Sequence, residues 1–214
     1  MTILSVNKTR DLLEGGRNTP TFLRNRWAHL RPFFVEQRRK FHEVIFMNKR
    51  TKHLTHGALI GALYVVLTYL QNLIIPDSAT WAIQFRVSEA LCVLALFTPA
   101  AIPGLTIGCL LFNISFAGAL PLDFLVGSLA TLLATAGMWL TRRITVKGYP
   151  LPAMLLPAVC NALLVGWELE LYIGGGFWIN ALLVAIGEVA VLLSLGSLLY
   201  YAVRSRHLDQ KIWN

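Results

Sequence analysis

The sequence predicts an all-α integral membrane protein, a six-transmembrane-helix bundle with both termini on the cytoplasmic side. Three observations predict it. Of 214 residues, 56% are hydrophobic and only 14% charged, against about 25% charged in an ordinary soluble domain, and the mean hydropathy is +0.59. The apolar residues gather in long runs separated by short polar or Pro/Gly-rich breaks. Lys and Arg fall on alternate breaks, as the positive-inside rule asks of a multi-pass chain.

The N-terminal stretch stands apart. Residues 1–52 hold twelve of the nineteen Lys and Arg and four of the eleven acids, so the whole formal charge of +8 resides there. A pI near 9.8 therefore reports one basic segment, not a nucleic-acid-binding surface. No apolar core of signal-peptide type occurs in it. "RPFFVEQRRKFHEVIF" is compatible with a basic amphipathic helix on the membrane surface. It is equally compatible with a tail lacking fixed structure, or with a true start at Met47, since "MNKRTKH" is an ordinary basic lead-in to a span. Residues 1–46 are read as an N-terminal extension and 47–214 as the six-helix membrane domain.

The spans follow in order. Leu54–Ile75 covers 22 residues, enough for a hydrocarbon core that takes about 20. Val87–Gly118 is too long for one straight span, but Pro99 and "AIPG" interrupt it, because Pro lacks the helix donor. A short second span to about Phe97 and a third from about Ile102 are expected. Leu122–Leu140 is the fourth, Pro152 to about Trp167 the fifth, and Phe177–Val203 the sixth. With six spans, one side collects Lys49, Arg50, Lys52, Arg142, Arg143, Lys147, Arg204, Arg206 and Lys211. The other collects Asp77, Asp123, Glu168 and Glu170, with Arg86 as its single cation. Merging spans two and three would send the later cations outside.

That topology assigns each polar residue a depth. Arg86 and Glu89 open span two at its outer end, Asn113 lies in the outer half of span three, and Asp123 starts span four. Asn161 and Glu168 are seven apart and share a face of span five. Asn180 opens span six, with Glu188 about 12 Å deeper at 1.5 Å per residue. The inner half holds almost nothing comparable, which describes a polar chamber open to the outside. Arg86 and Glu89, three apart, can equally pair with each other. Glu188 is different: an ionisable group near the bilayer centre costs roughly 2.5–3.5 kcal/mol even on lenient scales, and no cation shares its depth in the sequence. A role with a ligand or a proton is expected for it.

Several chemistries find no support. Cys92, Cys109 and Cys160 are isolated in apolar runs without redox or metal spacing, and read as small buried side chains. The five histidines lie outside the runs or at their edges, so no metal site is expected. There is no phosphate loop, no HExxH and no GxSxG. The chain is not expected to be an enzyme or to carry a cofactor, and energy for any transport has to come from ions or partner proteins. Gly57, Ala58, Gly61 and Ala62 form two overlapping small-xxx-small patterns on span one, suited to close helix approach. Internal packing and docking to another membrane subunit are both open.

"QFRVSEALCVLALFTPAAIPGLTIGCLLFN", "PLDFLVGSLATLLA", "VCNALLVGWELEL" and "FWINALLVAIGE" resemble the QueT family, substrate-binding S components of energy-coupling factor transporters assigned to queuosine precursors. The resemblance runs from about Lys49 to Tyr201 and is absent from residues 1–46. It implies a bacterial cytoplasmic-membrane protein that binds solute from outside and docks on a membrane T component. Two cytoplasmic ATPases would then drive release by toppling it in the bilayer. Docking would use Ala58 and Ala62 with Gly57 and Gly61. The ligand implied is a 7-deazaguanine such as the aminomethyl form, whose N–H edge suits carboxylates and whose cation asks for a second one. Candidate ligand residues are Gln84, Arg86, Glu89, Asn161, Glu168, Trp178, Asn180 and Glu188, with Glu89 facing the ligand and Arg86 orienting it. The aromatics, including Trp167 and Phe177, can stack on the ring or form an interfacial belt. A proton-coupled carrier using Glu188 and a scaffold without solute are the competing classes.

A chain beginning at Met47 is expected to insert and to bind ligand as the full chain does. Equilibrium binding on the two purified proteins checks this, and a clear loss on truncation would assign residues 1–46 to the functional unit.

Overall fold

The computed structural model describes residues 49–76, 85–116 and 118–206. The basic extension 1–46 with its expected surface helix, and the candidate Gln84, lie outside the described residues. The chain divides after Thr51 into Met1–Thr51 and Lys52–Asn214, and the second unit carries the bundle. Among the described residues, every regular element is helical. α1 is Lys49–Ile74, followed by a 3₁₀ segment, Val87–Leu96, and α2, Ala101–Ser115. α3 is Asp123–Thr141, α4 is Leu151–Tyr172 and α5 is Phe177–Val191. A single π turn, Leu192–Gly196, carries α5 into α6, Ser197–Ser205.

Four helical stretches are long and apolar enough to cross a membrane: Arg50–Ile74, Asp123–Thr141, Leu151–Tyr172 and the continuous Phe177–Ser205. The stretches expected to form the two other spans are shorter apolar helices, Val87–Leu96 and Ala101–Ser115. The outward faces are apolar throughout, with Leu111, Ile114, Leu125, Leu132, Leu163 and Ile186 exposed. A water-soluble monomer does not leave a belt of this extent facing solvent. The chain is a multi-pass membrane protein.

The second expected span is not α-helical. Val87–Leu96 runs as ten residues of 3₁₀ helix, although such runs rarely exceed three or four. At about 2.0 Å per residue, against 1.5 Å in an α-helix, the ten residues reach about 20 Å. From Ser88 to Leu96 every side chain is buried, and the segment touches α2, α3, α4, α5, α6 and the π turn. Its three-residue turn also stacks side chains directly above one another, so Glu89, Cys92 and Ala95 share one face. Thr98–Pro99–Ala100 then turns the chain into α2, with the Ala101 N–H donating to Thr98 O at 3.3 Å. Pro103 is tolerated there because it sits in the first helical turn.

α1 crosses α2 at glycines. A methyl on Gly61 would lie 2.6 Å from Gly104 O, and one on Gly108 would lie 2.8 Å from Gly61 O, so the backbones approach as closely as small-residue crossings permit. Gly57 takes part in the same contact through Gly104. Of the two roles left open for the small residues of α1, Gly57 and Gly61 are thus engaged in internal packing, whereas Ala58 and Ala62, about 100° round the helix, are exposed.

α4 runs through Pro157 to Tyr172, one turn further than the fifth expected span. Neighbouring helices compensate an interrupted backbone in this setting. The α4–α5 reversal is made by Gly174, Gly175 and Gly176, with φ of 77°, 95° and 102°. These left-handed conformations cost other residues energy, but not glycine. The Glu170 carboxylate fastens the loop by accepting the Gly176 N–H at 2.7 Å.

Gly61→Val is expected to force α1 and α2 apart and to destabilise the protein by about 1–3 kcal/mol, as overpacking does. The measurement is the thermal midpoint in detergent, with Ala62→Val on the exposed face as the unaffected comparison.

Candidate functional site

Polar side chains on α1 meet the 3₁₀ segment along one seam. The Tyr64 hydroxyl donates to Glu89 Oε1 at 2.8 Å, and the Cys92 thiol donates to Glu89 Oε2 at 3.1 Å. One turn further along α1, the Thr68 hydroxyl donates to Ser88 Oγ at 2.7 Å. Gln71 closes the seam toward the C-terminal end of α1, accepting the Val87 N–H at 2.6 Å and donating to Phe85 O. Both Glu89 oxygens are therefore engaged within the protein. The Cys92 contact follows from the 3₁₀ geometry, which sets residues three apart in register.

Arg86 is 3% exposed and its charge acts on Tyr64, Asp123, Cys109 and Glu89. It lies beside α3, where a methyl on Gly127 would stand 3.9 Å from Arg86 Nη1 and 2.8 Å from Asn113 Nδ2. The Asn113 amide donates to Asp123 O at 2.8 Å, which ties α2 to the start of α3. Asp123 Oδ2 in turn accepts the Leu120 N–H at 3.0 Å.

The remaining carboxylates come from α4 and α5. Asn161 Nδ2 donates to Glu188 Oε1 at 2.8 Å, joining the two helices, while Glu188 Oε2 has no hydrogen-bond partner. Glu188 lies within electrostatic range of Glu89 and Arg86. Glu168 is 0% exposed; neither of its oxygens accepts an N–H, and its carboxyl lies against that of Asp123, within electrostatic range of Arg86. Buried polar atoms are nearly always hydrogen-bonded. Three buried carboxyl oxygens, two on Glu168 and one on Glu188, thus accept no N–H among the described residues.

Of the sequence candidates, Arg86, Glu89, Asn161, Glu168 and Glu188 are thus brought together. Asn180 is buried but serves the glycine loop, donating to Gly174 O at 2.9 Å. Trp178 is 77% exposed and packs edge-on against Phe177, away from the cluster. The sequence does not single out Tyr64, reads Cys92 only as a small buried side chain, and gives Asn113 and Asp123 a depth without a role. The polar stripe Tyr64, Thr68, Gln71, at helical spacing on an otherwise apolar helix, was the available signal. The thiol had none, because a 3₁₀ register is not readable from hydropathy.

Residues 54–205 match the family model described as QueT transporter. A curated relative, "Queuosine precursor transporter QueT" of Lactococcus lactis subsp. cremoris (strain MG1363), is 41% identical over 84 residues, which is 39% of this chain. The chain spans about half the length of that relative, 47%. No solved structure matches the chain. A family match over well more than half of the chain, on the same segments that build the polar cluster, settles the assignment: the chain belongs to the QueT transporter family.

Proposed function

We propose that this protein is the substrate-binding S component of an energy-coupling factor importer for a queuosine precursor, a 7-deazaguanine such as the aminomethyl form. The observation that carries the reading is Glu168, wholly buried against Asp123 with no N–H donor on either oxygen, in a chain of this family. A buried carboxylate of this kind needs donors, and the pairing edge of a guanine-like ring supplies adjacent N–H groups. Glu188 Oε2, open beside Asn161, is a second acceptor. The topology proposed has six spans, counting the 3₁₀ segment and α2 as one each, with both termini cytoplasmic. The charge asymmetry of the loops supports that orientation.

Docking on a membrane T component falls to the exposed face of α1 in this reading. Ala58 and Ala62 lie there among exposed Leu54, Leu59, Leu63 and Leu73, and small residues let a partner helix approach closely. Two cytoplasmic ATPases supply the energy for release. A stand-alone proton-coupled carrier would instead transport in vesicles that contain no ATPase, where an S component binds solute without pumping it.

Hydrogen bonds to charged groups contribute about 1.5–3 kcal/mol, equivalent to a roughly 10- to 150-fold effect on affinity. Glu188→Gln and Glu168→Gln are each expected to lower affinity for aminomethyl-7-deazaguanine at least tenfold in folded protein. Isothermal titration in detergent measures this, and unchanged affinity in both variants refutes the carboxylate site. A double Ala58→Leu, Ala62→Leu variant is expected to abolish uptake by the assembled transporter while leaving solute binding near normal, with uptake and binding compared on the same preparation. Loss of both together would point to misfolding instead.

A further inference from the structure

We infer that Asn113 of α2 contacts the ligand, its side-chain oxygen accepting the lone N–H of the five-membered ring of a 7-deazaguanine. The inference rests on the ligand class proposed above and adds a specificity-determining residue to that site. Asn113 is buried, at 5% exposure. Its amide nitrogen is already engaged: Nδ2 donates to Asp123 O at 2.8 Å and lies 3.5 Å from Cys109 Sγ. A backbone carbonyl can only accept, so the bond to Asp123 O decides which end of the amide carries the nitrogen. The amide is thereby held in one orientation. Its oxygen, Oδ1, is buried and has no hydrogen-bond partner among the described residues. Buried acceptors are nearly always bonded, and an amide oxygen with its nitrogen tied down is an acceptor fixed in place before a donor arrives.

The surroundings put this amide at the charged cluster. A methyl on Gly127 would stand 2.8 Å from Asn113 Nδ2, 3.6 Å from Cys109 Sγ and 3.9 Å from Arg86 Nη1. The amide and the guanidinium thus meet at one point on α3, and the missing side chain of Gly127 admits both. A neutral acceptor also suits the interior better than a further acid. It takes a donor without adding an anion to a buried set that already holds Glu89, Asp123, Glu168 and Glu188. The donors of the ligand divide in the same way. On the six-membered ring, the ring N–H and the exocyclic amine are adjacent and match the two oxygens of a carboxylate. The N–H of the five-membered ring stands alone, and a single oxygen at about 2.9 Å is its complement.

The test compares two probes on the full purified chain in detergent. One is 7-aminomethyl-7-deazaguanine; the other is its furo[2,3-d]pyrimidine counterpart, in which an oxygen replaces the five-membered-ring N–H. The readout is the ratio of their affinities. The native protein is expected to prefer the N–H probe by roughly tenfold, because the oxygen probe sets acceptor against acceptor. Asn113→Ala is expected to bring that ratio to about threefold or less, chiefly by weakening the N–H probe. Gly127→Ala, whose methyl crowds the amide without changing its chemistry, is expected to lower the ratio in the same direction. Glu188→Gln is expected to weaken both probes with the ratio nearly unchanged. Native protein that binds the two probes equally overturns the contact while the transporter reading stands. So does an Asn113→Ala variant that weakens both probes alike, which would leave Asn113 only as the tie between α2 and α3. If Asn113→Ala binds neither probe, Gly127→Ala decides, and an unchanged ratio there overturns the contact. Native protein that binds neither probe overturns the ligand class, and the contact with it.

Discussion

A bundle whose outer wall faces hydrocarbon has one place for ionised side chains, and every charge placed there loses its hydration. Glu89, Asp123, Glu168, Glu188 and Arg86 are all buried, and each unpaired member costs several kcal/mol. The rest of the structure follows from holding these groups together. Helix ends from α3, α4 and α5 and the start of the 3₁₀ segment converge on one region, and glycines at the α1–α2 crossing let the wall close around it. Hydrophobic driving force between helices is absent in lipid, so packing and interhelical hydrogen bonds such as Asn161–Glu188 and Asn113–Asp123 carry the association.

The 3₁₀ segment is the internal strut. Buried on all sides, it carries Glu89 on the face that meets Tyr64, and its tight register sets Cys92 under the same carboxylate. α1 thereby has two unlike faces. One is bonded through Tyr64, Thr68 and Gln71 to the segment bearing Arg86 and Glu89. The other is apolar and exposed, with Ala58 and Ala62 among leucines. A single rigid helix joins the charged interior to the outer surface.

The helices were legible because a hydrocarbon environment leaves a coarse signature. Long apolar runs at Leu54–Ile75, Leu122–Leu140 and Phe177–Val203 became α1, α3 and the α5–α6 run with small shifts at their ends. The Pro99 break was legible for the same steric reason that makes proline a boundary. The conformation of Val87–Leu96 was not. Composition and hydropathy of a ten-residue apolar run are the same for an α and a 3₁₀ helix, and burial against six neighbouring elements decides between them. Which way Trp178 faces was not legible either. Residues two apart on a helix point about 200° apart, so a buried Asn180 leaves Trp178 turned outward, where the interfacial-belt alternative places it.

By itself the sequence determined the membrane-embedded helical class, the approximate helix limits and the inventory of acids that a hydrocarbon environment makes costly. These depend on composition and on intervals along one chain. Only the tertiary structure decided which acids are already spent and which are open. Glu89, expected to face the ligand, is satisfied by Tyr64 and Cys92, while Glu168 accepts no N–H on either oxygen. Hydrogen-bond satisfaction is a property of distances between elements remote in sequence, and no spacing along a single helix contains it.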